Sequence, residues 1–600
     1  MVLSDSLQPR IVVTISAGPV DAETFDSTRV FIEGPDGVVG IEQRILEAAD
    51  NRLIFLPARY LREATEYRLV IDGLLANGRS VQREHVFVTG QFTDRLDAIR
   101  AQLDEDGMVQ PATIEASTTA PAFWTAHRAT LPPGSAPSLP WSAWESGTNA
   151  AVLESTYAEA GGAAEELDVI GATGQLEGLV PQGDGKVRIF QRFRILRPEG
   201  IAQLSFGSFQ THWYLDDDRA LTREAGVPAT VWFTRYEPLG EGPFPDVIYG
   251  NGYRSHRHHA SGLASALAER GLATVSITAV GHGGGPDGFL EVDGAVFSDG
   301  GRALDVDDNG FIELEEGMRV NPFSAHGIRG LTDGVRQTVV DYMVAARALA
   351  ITEGRYFGIS NGGRIGALLL SVDPRYTRGV LNVPPSEAYL PLADTWRTLW
   401  AFFIEALGLA NTPHPEWGGF TEGIPMRGQP VQLGLPYGSG AIQEYLEQVR
   451  TAQMPMNSAA YASRFATLNK DVLVQIGRGD PVVTNPSSLD LVREGGLEAT
   501  TCLVWPERSL WFEQLPDGPQ GAVHLFAFMP DVDPAWQPGT IGRLARMQVA
   551  EWLWDGTLVD PDEDGDLFGL GDVFEVPLSP ESAVILDTTL GYDPAQYAVP

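Results

Sequence analysis

The chain is poor in cysteine, in lysine and in long apolar runs. Its 600 residues include one cysteine, Cys502, which excludes an intramolecular disulfide and cysteine-pair redox chemistry. Lys186 and Lys470 are the only lysines, and 42 basic residues stand against 79 acidic ones, a net charge of -37. Such a charge disfavours nucleic acids and anionic membranes as partners. No run reaches the roughly 18 apolar residues of a membrane-spanning helix.

The composition is otherwise that of a large globular protein. Hydrophobic residues make up 43% of the chain, and its length allows two to four domains. The acidic, lysine-poor composition is typical of halophilic, marine or exported bacterial proteins, and equally of a GC-rich genome. We expect a secreted or cell-surface bacterial protein, with the signal peptide absent from this sequence.

Residues 8–92 have the pattern of a small β-sandwich. Short alternating apolar stretches are separated by turn residues, without a helical period between them. The segments 19–32 and 57–67 resemble bacterial Ig-like domains that precede exported enzymes. The favoured role for this domain is a spacer, and the alternative is attachment of an enzyme to a solid substrate.

The rest of the chain divides into three parts. Residues 93–185 are predicted to be a linker or wrapping segment, with a helix at 94–103 and a stretch rich in proline, serine and alanine. Strands and helices alternate over 186–555, which predicts an α/β domain with a mainly parallel sheet and helices on both faces. Its first strands are predicted at 188–195, 229–234 and 245–249. Residues 556–600 form an acidic extension.

The pentapeptide Gly358–Gly362, with the sequence GISNG, stands between two predicted elements. A short apolar strand ending at Phe357 precedes it, and a helix begins at Asn361. A serine on a sharp strand-to-helix turn exposes its Oγ, and the flanking glycines let the backbone bend without Cβ clashes. In this context the pentapeptide predicts that Ser360 is the nucleophile of a hydrolase.

The residues that would activate Ser360 follow it in the chain. A serine nucleophile needs an imidazole as its base and a carboxylate to orient that imidazole. Only His414 and His524 come after Ser360, and His414 lies in a proline-rich stretch, so His524 is the predicted base. Asp480 follows the predicted strand 472–476 and is the predicted acid. The alternatives are a buried structural histidine and a turn aspartate.

With these residues, the chain from about 185 to 550 resembles the α/β-hydrolase superfamily. It is most similar there to exported bacterial lipases and esterases, which share the Gly-His-Gly turn around His282, an acidic loop and a helix like 330–341. The resemblance implies hydrolysis of carboxylic esters without an organic cofactor. The pentapeptide departs from the more usual His-Ser-Leu-Gly of these relatives, and His282 is predicted to be structural.

An oxyanion hole requires two backbone N–H groups directed at the developing charge. Asn361, directly after the nucleophile, is predicted to provide one. The second is expected from the loop after the strand 245–249, where many α/β-hydrolases have His-Gly and this chain resembles them with Asn251 and Gly252. Tyr253 is then the predicted second donor.

The predicted function is therefore an esterase or lipase that forms an acyl-enzyme on Ser360. Its substrate would be a small-molecule, lipid or polymer ester. A polyester depolymerase or a serine peptidase would use the same triad. The alternative from another class is a catalytically silent binding protein on a hydrolase scaffold. The sequence leaves the acyl-chain preference and the oligomeric state open.

Residues 305–316 match a twelve-residue EF-hand-type calcium loop. Gly310 permits the turn, and oxygen ligands occupy the key positions. The predicted ligands are Asp305, Asp307, Asn309, the carbonyl of Phe311, Glu313 and a bidentate Glu316. The pattern predicts a structural Ca²⁺ that orders one wall of the site, and a solvated acidic loop is the alternative. Residues 560–572 are a weaker second candidate.

A long insertion, residues 386–468, separates two predicted strands of the α/β domain. Trp396, Trp400 and Phe403 repeat in it at helical spacing. The insertion is predicted to cap the site, and the aromatic stripe either lines the substrate pocket or forms the core of the cap.

Overall fold

The computed structural model describes most of the chain. The described residues are 6–47, 51–105, 107–119, 150–156, 176–181, 187–194, 200–253, 255–282, 289–292, 295–298, 300–302, 325–386, 394–413, 418–423, 426–511, 514, 523–529, 535–563, 565 and 567–591. The acidic loop 305–316 lies outside them. Within these ranges, no helix combines the length and the apolar character needed to cross a membrane.

In the described residues, strands predominate as far as residue 250, and helices and strands alternate after it. The strands are β1 Ile11–Thr14, β2 Val30–Gly34, β3 Gly37–Val39, β4 Ile41–Glu47, β5 Arg52–Pro57, β6 Glu66–Ala76, β7 Arg79–Val88, β8 Thr113–Thr119, β9 Ala150–Thr156, β10 Leu176–Pro181, β11 Val187–Arg194, β12 Ile201–Trp213, β13 Val227–Pro238, β14 Asp246–Gly250, β15 Ala273–Ile277, β16 Phe289–Val292, β17 Ala295–Ser298, β18 Gly354–Ile359, β19 Tyr376–Asn382, β20 Thr412–Pro413, β21 Gly418–Gly419, β22 Gln432–Leu433, β23 Asp471–Gly477, β24 Thr501–Val504 and β25 Phe574–Glu575. The helices are α1 Asp94–Leu103, α2 Ser261–Glu269, α3 Ala325–Ala348, α4 Asn361–Val372, α5 Asp394–Ala406, α6 Ser439–Gln453, α7 Ser458–Ala462, α8 Arg464–Thr467, α9 Asn485–Gly495, α10 Gln537–Asp555 and α11 Pro580–Leu586.

Two sheets pack face to face at the N-terminus. The first has the order β1-β5-β4 and the second the order β3-β2-β6-β7, with antiparallel pairing throughout. Ile11 and Phe55 of the first sheet meet Ile32 and Leu69 of the second in one buried core. The alternating pattern of residues 8–92 thus folds as a β-sandwich, because each strand buries one face and exposes the other.

Strand β4 is one that the sequence pattern did not predict. Its pairing with β5 shifts register between Glu42 and Arg44, and Gln43 adopts a positive φ of 53°. The extra residue is a bulge, which reverses the side to which later side chains point. A search for strict alternation therefore misses this strand.

A mixed sheet of ten strands forms the centre of the described α/β region. Its order is β25-β24-β23-β19-β18-β14-β15-β13-β12-β8. The strands from β24 to β15 run parallel to their neighbours, and the strands outside this group pair antiparallel. Helices cover both faces: α2 and α10 pack on one, and α1, α3, α4, α7 and α9 pack on the other. The alternation of strands and helices after residue 200 produces this layered arrangement.

The predicted position of the stretch 188–195 in the large sheet was wrong. Strand β11 lies instead in a second sheet with the order β10-β11-β9-β16-β17, where it pairs antiparallel with β9 and β10. Alternation predicts a strand but carries no information about its partner. One edge strand of the large sheet is β8, which belongs to the segment interpreted as a linker, and the other is β25.

The described part of the insertion between β19 and β23 contains α5 to α8 and three short strands. One of these, β22, pairs in parallel with β4 of the N-terminal sandwich, with Gln432 opposite Ile45 and Leu433 opposite Leu46. A second buried cluster joins α5 to α6 inside the insertion. The insertion therefore has a small core of its own and also extends a sheet of the sandwich.

Candidate active site

Ser360 lies at the turn between β18 and α4. Its backbone has φ 54° and ψ -118°, a conformation that non-glycine residues rarely adopt. Its N–H donates to the carbonyl of Asn382 at 2.8 Å, and its carbonyl accepts from the N–H of Arg364 at 3.1 Å. The surrounding structure holds the strained conformation, as is common at functional sites.

Close backbone packing fixes the position of α4. A Cβ atom on Gly362 would collide with the carbonyl oxygen of Gly250, and one on Gly358 would collide with the carbonyl of Gly362. The buried Tyr356 hydroxyl donates to that same Gly362 carbonyl at 2.7 Å. The glycines of the pentapeptide are therefore needed for the approach of α4 to the end of β14, in addition to the bend itself.

His524 and Asp480 form a buried pair. The His524 Nδ1 atom lies 2.7 Å from Asp480 Oδ2. The other carboxylate oxygen, Oδ1, accepts from the backbone N–H groups of Val482 at 2.8 Å and Val483 at 3.0 Å. Both carboxylate oxygens therefore have partners, which fixes the orientation of the carboxylate toward the imidazole.

The turn that follows His524 is anchored on the strands of the sheet. Phe528 packs against Tyr249 of β14 and Phe357 of β18, with ring centroids 6.3 and 6.1 Å apart. A Cβ atom on Gly477, at the end of β23, would lie 3.0 Å from the carbonyl oxygen of Val523. These contacts hold the histidine turn against the ends of β14, β18 and β23.

The three predicted triad residues lie at the carboxyl ends of the parallel strands. Ser360 follows β18 directly, Asp480 follows β23, and His524 contacts Asp480. Because β18, β19 and β23 are parallel, their carboxyl ends meet at the same edge, where ligands of open α/β sheets bind. The side chains are nearly enclosed, with 7%, 1% and 6% exposure for Ser360, Asp480 and His524.

The loop after β14 passes beside Ser360. A Cβ atom on Gly252 would lie 3.7 Å from the Cβ atom of Ser360. The fully buried Asn251 side chain organises this loop: its Nδ2 donates to Gly252 at 3.0 Å and to Ser255 at 3.1 Å. Its Oδ1 accepts from the N–H of Ala279 at 3.0 Å, just after β15. Sequence reasoning noted Asn251 only as a replacement for histidine, although Asn-Gly after a strand is a turn signal.

Three buried histidines, His256, His258 and His282, and the half-buried His259 lie close to this loop. Burial lowers the pKa of His259 and of His282 to about 4, and burial also lowers the pKa of His256 and His258 well below the ordinary value. They are therefore neutral at physiological pH. His282 Nδ1 lies 3.0 Å from the carbonyl of Val280, which accepts only if this nitrogen carries the proton. Its ring packs edge-on against Tyr253 at 6.0 Å.

The aromatic stripe of the insertion divides between two environments. Trp396 packs edge-on against Tyr253, with centroids 5.4 Å apart, and its Nε1 donates to the carbonyl of Val482 at 3.1 Å. Trp400 instead contacts Phe403 at 6.1 Å and Tyr445 of α6 at 6.5 Å. Trp396 thus faces the loops that carry Tyr253 and Asp480, whereas Trp400 and Phe403 pack within the insertion.

The described residues contain no cluster of three or more metal-ligating side chains of the His, Cys, Asp or Glu type. All six predicted ligands in the loop 305–316 lie outside the described residues. In the second candidate segment, Asp562 accepts from the N–H groups of Val573 at 2.6 Å and Phe574 at 3.2 Å. The Asp562 carboxylate therefore binds the backbone at the start of β25. Burial raises the pKa of the neighbouring Asp560 to about 6.

Comparisons with known proteins find similarity only among solved structures. No family model and no curated protein sequence matches the chain. An acetyl xylan esterase from Thermoanaerobacterium aligns at 15% identity and TM-score 0.27, over 48% of this chain and 74% of its own. An esterase from Pyrobaculum calidifontis aligns at 13% identity and TM-score 0.29, over 59% and 86%. A cold-adapted esterase from an Arctic intertidal metagenomic library aligns at 15% and TM-score 0.25, over 50% and 83%. Alignments of this quality do not assign a family to the chain.

Proposed function

We propose that this chain is a serine hydrolase that cleaves carboxylic esters through an acyl-enzyme on Ser360. One observation carries the proposal: the buried His524–Asp480 pair lies at the sheet edge where Ser360 occupies its strained turn. A serine on such a turn, and a carboxylate-oriented imidazole at the same ends of the strands, are the components that nucleophilic catalysis needs.

The direction of proton transfer follows from the hydrogen bonds of His524. Its Nδ1 faces Asp480, so Nε2 is the nitrogen left to accept the proton of the Ser360 hydroxyl. As that proton leaves, Oγ bonds to the carbonyl carbon of the ester, and the carbonyl oxygen takes the negative charge. Asp480 holds the imidazole in the required tautomer and stabilises its protonated form.

Two further steps complete the turnover. The tetrahedral intermediate collapses, the ester C–O bond breaks, and the leaving alcohol takes the proton from His524 Nε2. Water then gives a proton to the same nitrogen and attacks the acyl carbon. The bond between that carbon and Ser360 Oγ breaks, Oγ takes the proton back from His524, and the acid leaves. No organic cofactor enters any of these steps.

The backbone N–H groups of Asn361 and Tyr253 are the proposed oxyanion donors. Asn361 opens α4, where unpaired N–H groups and the helix dipole favour negative charge. Tyr253 belongs to the loop that approaches Ser360 at Gly252. Preorganised donors of this kind are worth about 3–4 kcal/mol each in related chemistry.

A covalent probe and chromogenic esters test this function together. A fluorophosphonate reacts with an activated serine whatever the natural substrate, so peptide mass spectrometry should locate the label on Ser360. Hydrolysis of p-nitrophenyl esters of two to sixteen carbons should follow saturation kinetics. Ser360→Ala should abolish both the label and the hydrolysis. Ser80→Ala, an exposed serine on β7, is the matched control and should change neither.

Each outcome assigns the chain to one class. Ester hydrolysis that survives in Ser360→Ala would refute the mechanism. Labelling of Ser360 without ester hydrolysis, but with cleavage of peptide anilides, would indicate a peptidase. Release of soluble acids from a polyester film would indicate a depolymerase. The absence of labelling in the folded protein would leave a silent binding protein on a hydrolase scaffold.

The proposal extends to location and to a metal ion. A secreted or cell-surface location agrees with the acidic composition and the type of enzyme. The loop 305–316 is proposed to bind one structural Ca²⁺, on the strength of its oxygen ligands and their spacing. Arg302, three residues before this loop, makes two contacts with the rest of the fold. Its backbone N–H donates to the carbonyl of His282 at 2.8 Å, and its guanidinium forms an ion pair with the buried Asp341 at 2.7 Å.

A further inference from the structure

The N-terminal sandwich is joined to the insertion by a shared sheet and a shared apolar contact. The parallel pairing of β22 with β4 adds a strand of the insertion to the first sheet of the sandwich. Leu435, two residues after β22, packs against a buried cluster of Val12, Ile45 and Ile54 on that sheet. A spacer would not need either contact, because a tether requires only chain length.

Polar contacts connect the segment just before β1 to helix α6. Arg450 Nη2 donates to the side-chain oxygen of Gln8 at 2.8 Å, and Arg10 donates to Gln443. Arg450 and Gln8 are 3% and 1% exposed. The Arg450 charge is paired with Glu447 of the same helix at 3.7 Å, and its buried hydrogen bonds to Gln8 are directional, so they favour one docked geometry. The partly exposed pair of Arg52 and Glu444, at 3.3 Å, contributes less.

The sandwich is also fixed rigidly to the α/β region. Glu63 of the sandwich accepts from the N–H of Phe92 at 2.7 Å and from the N–H of Thr93 at 3.0 Å. The hydroxyl of Thr93 donates to the same carboxylate at 2.5 Å. Thr93 is the residue directly before α1, so the Glu63 carboxylate links the sandwich to the N-terminal end of this helix, where negative charge is favourable.

Helix α6, which contacts the sandwich, also packs against α5. Ile442 and Leu446 of α6 pack with Ala401 and Ile404 of α5 in the core of the insertion. At the N-terminal end of α5, Trp396 contacts Tyr253 and donates to the carbonyl of Val482. A continuous series of contacts therefore runs from the sandwich, through α6 and α5, to the two loops beside Ser360.

We propose that the N-terminal sandwich is a positioning domain of the enzyme and that Trp396 is the positioning residue through which it acts. The docked sandwich holds α5 so that Trp396 keeps the Tyr253 loop and the Asp480 loop in register with Ser360. This inference rests on the proposed function for its effect on turnover, whereas the effect on α5 itself does not depend on any activity.

The first test undocks the insertion in the full-length chain. Leu435→Asp places a charge against the apolar cluster of Val12, Ile45 and Ile54. Hydrogen exchange over 394–406 should accelerate together with exchange over 439–453, and kcat for a short p-nitrophenyl ester should fall by roughly 2- to 30-fold, the range of such couplings. Leu435→Met should retain wild-type exchange and kcat.

Matched controls separate docking from a general loss of stability. Val88→Asp makes the same change at an exposed position on β7, in the other sheet of the sandwich, and should leave α5 and kcat unchanged. If Leu435→Asp does not fold, Glu444→Arg adds a repulsive charge beside Arg52 at a position that is already 43% exposed. Gln448→Arg, exposed on the same helix, is its control.

A double variant tests whether Trp396 mediates the effect. Trp396→Phe keeps an apolar ring but removes the donor to Val482. If the sandwich acts through this residue, Leu435→Asp combined with Trp396→Phe should be about as slow as the slower single variant, since the two changes interrupt one path. Multiplicative effects on kcat would show that Trp396 is not the mediator.

Two results would overturn the inference. Faster exchange in α6 with unchanged exchange in α5 would show that the docking ends within the insertion. Unchanged kcat in a variant with an undocked sandwich would make the domain a spacer. A wild-type chain without esterase activity, in which Leu435→Asp still loosens α5, would refute the proposed function and leave the docking intact.

Discussion

Asp480 presents one carboxylate oxygen to His524 and keeps the other on the backbone of its own loop. The Oδ2 atom lies 2.7 Å from His524 Nδ1, while Oδ1 accepts from the N–H groups of Val482 and Val483. The two backbone donors make the two carboxylate oxygens different, since only an acceptor can occupy the Oδ1 position. If an asparagine replaced Asp480, this difference would fix which way its amide group points.

Asp480→Asn should therefore abolish most of the activity without unfolding the protein. The backbone donors of Val482 and Val483 would keep the amide oxygen, so the amide NH₂ would face His524 Nδ1. The imidazole would then carry its proton on Nε2, and it could not accept the proton of Ser360. We expect kcat to fall by about 10³- to 10⁴-fold. Steady-state kinetics, with thermal melting as a check on folding, measures both effects.

Asp490→Asn is a suitable control for Asp480→Asn. Asp490 is also buried, but it lies on α9, and the hydroxyl of Ser386, 3.5 Å away, is its described contact. Asp490 lies beneath the docked sandwich, so the exchange should lower kcat by no more than the roughly 2- to 30-fold expected for undocking, far less than Asp480→Asn does. An Asp480→Asn enzyme with near wild-type kcat would mean that another group orients His524.

Gly362→Ala should destabilise the fold and remove activity. The added methyl group would collide with the carbonyl oxygen of Gly250, which is backbone and cannot move aside as a side chain can. Overpacking of this kind costs about 1–3 kcal/mol, and we expect the upper end. Denaturant unfolding and ester hydrolysis measure the two losses.

Gly334→Ala is the matched control for Gly362→Ala. Gly334 lies within α3, where an added Cβ would be 3.5 Å from the nearest atom, on Val280. Alanine is favoured over glycine in a helix interior by up to about 1 kcal/mol, so the control should be neutral or stabilising. Equal stability of the two variants would contradict the close-packing argument.

Local patterns predicted the elements around the site, because they depend on neighbouring residues. The glycines flanking Ser360 identify a strand-to-helix turn, and the apolar period before it predicts α3, which the structure forms over Ala325–Ala348. The strand before Asp480 and the small number of histidines after Ser360 paired His524 with Asp480, and the two do lie 2.7 Å apart. Their catalytic roles remain predictions.

Long-range pairing could not be predicted in the same way. Strand β22 is two residues long, and its pairing with β4 depends on contacts across nearly four hundred residues of chain. Likewise, nothing in the sequence of Trp396 indicates that its indole donates to Val482. Such contacts arise from tertiary packing, which composition and periodicity do not encode.

Calcium should stabilise the protein through the loop 305–316. An ion that binds only the folded state stabilises it by about 2.7 kcal/mol at a hundredfold excess over Kd. We therefore expect the melting temperature to fall when calcium is replaced by a chelator. Glu316→Gln removes one oxygen charge of the predicted bidentate ligand and should abolish this difference. Asp218→Asn, at an exposed position far from the loop in sequence, should leave it unchanged.

Two acids beneath the docked sandwich should make stability depend on pH. The Glu494 carboxylate accepts from the N–H of Tyr60 at 3.0 Å. Burial raises the pKa of Glu494 from 4.5 to about 7, and burial raises the pKa of Asp490 to about 6. The positive charge of Arg427 lowers the pKa of both acids and so opposes the effect of burial. The negative charge of Asp490 raises the pKa of Glu494 further.

The raised pKa values give the direction of the effect. A folded state that raises the pKa of an acid favours its protonated form, so the stabilisation is complete below pH 4.5 and is lost as the pH rises through 7. The free energy of unfolding should therefore decrease between pH 5 and pH 8, by up to about 3 kcal/mol from Glu494. Glu494→Gln keeps an acceptor for Tyr60 without a titrating group, so urea titrations at the two pH values should give a smaller difference. Glu498 is exposed, three residues beyond the end of α9, and Glu498→Gln should keep the wild-type difference in the free energy of unfolding. The same difference in Glu494→Gln as in the wild type would show that Glu494 is not the titrating group.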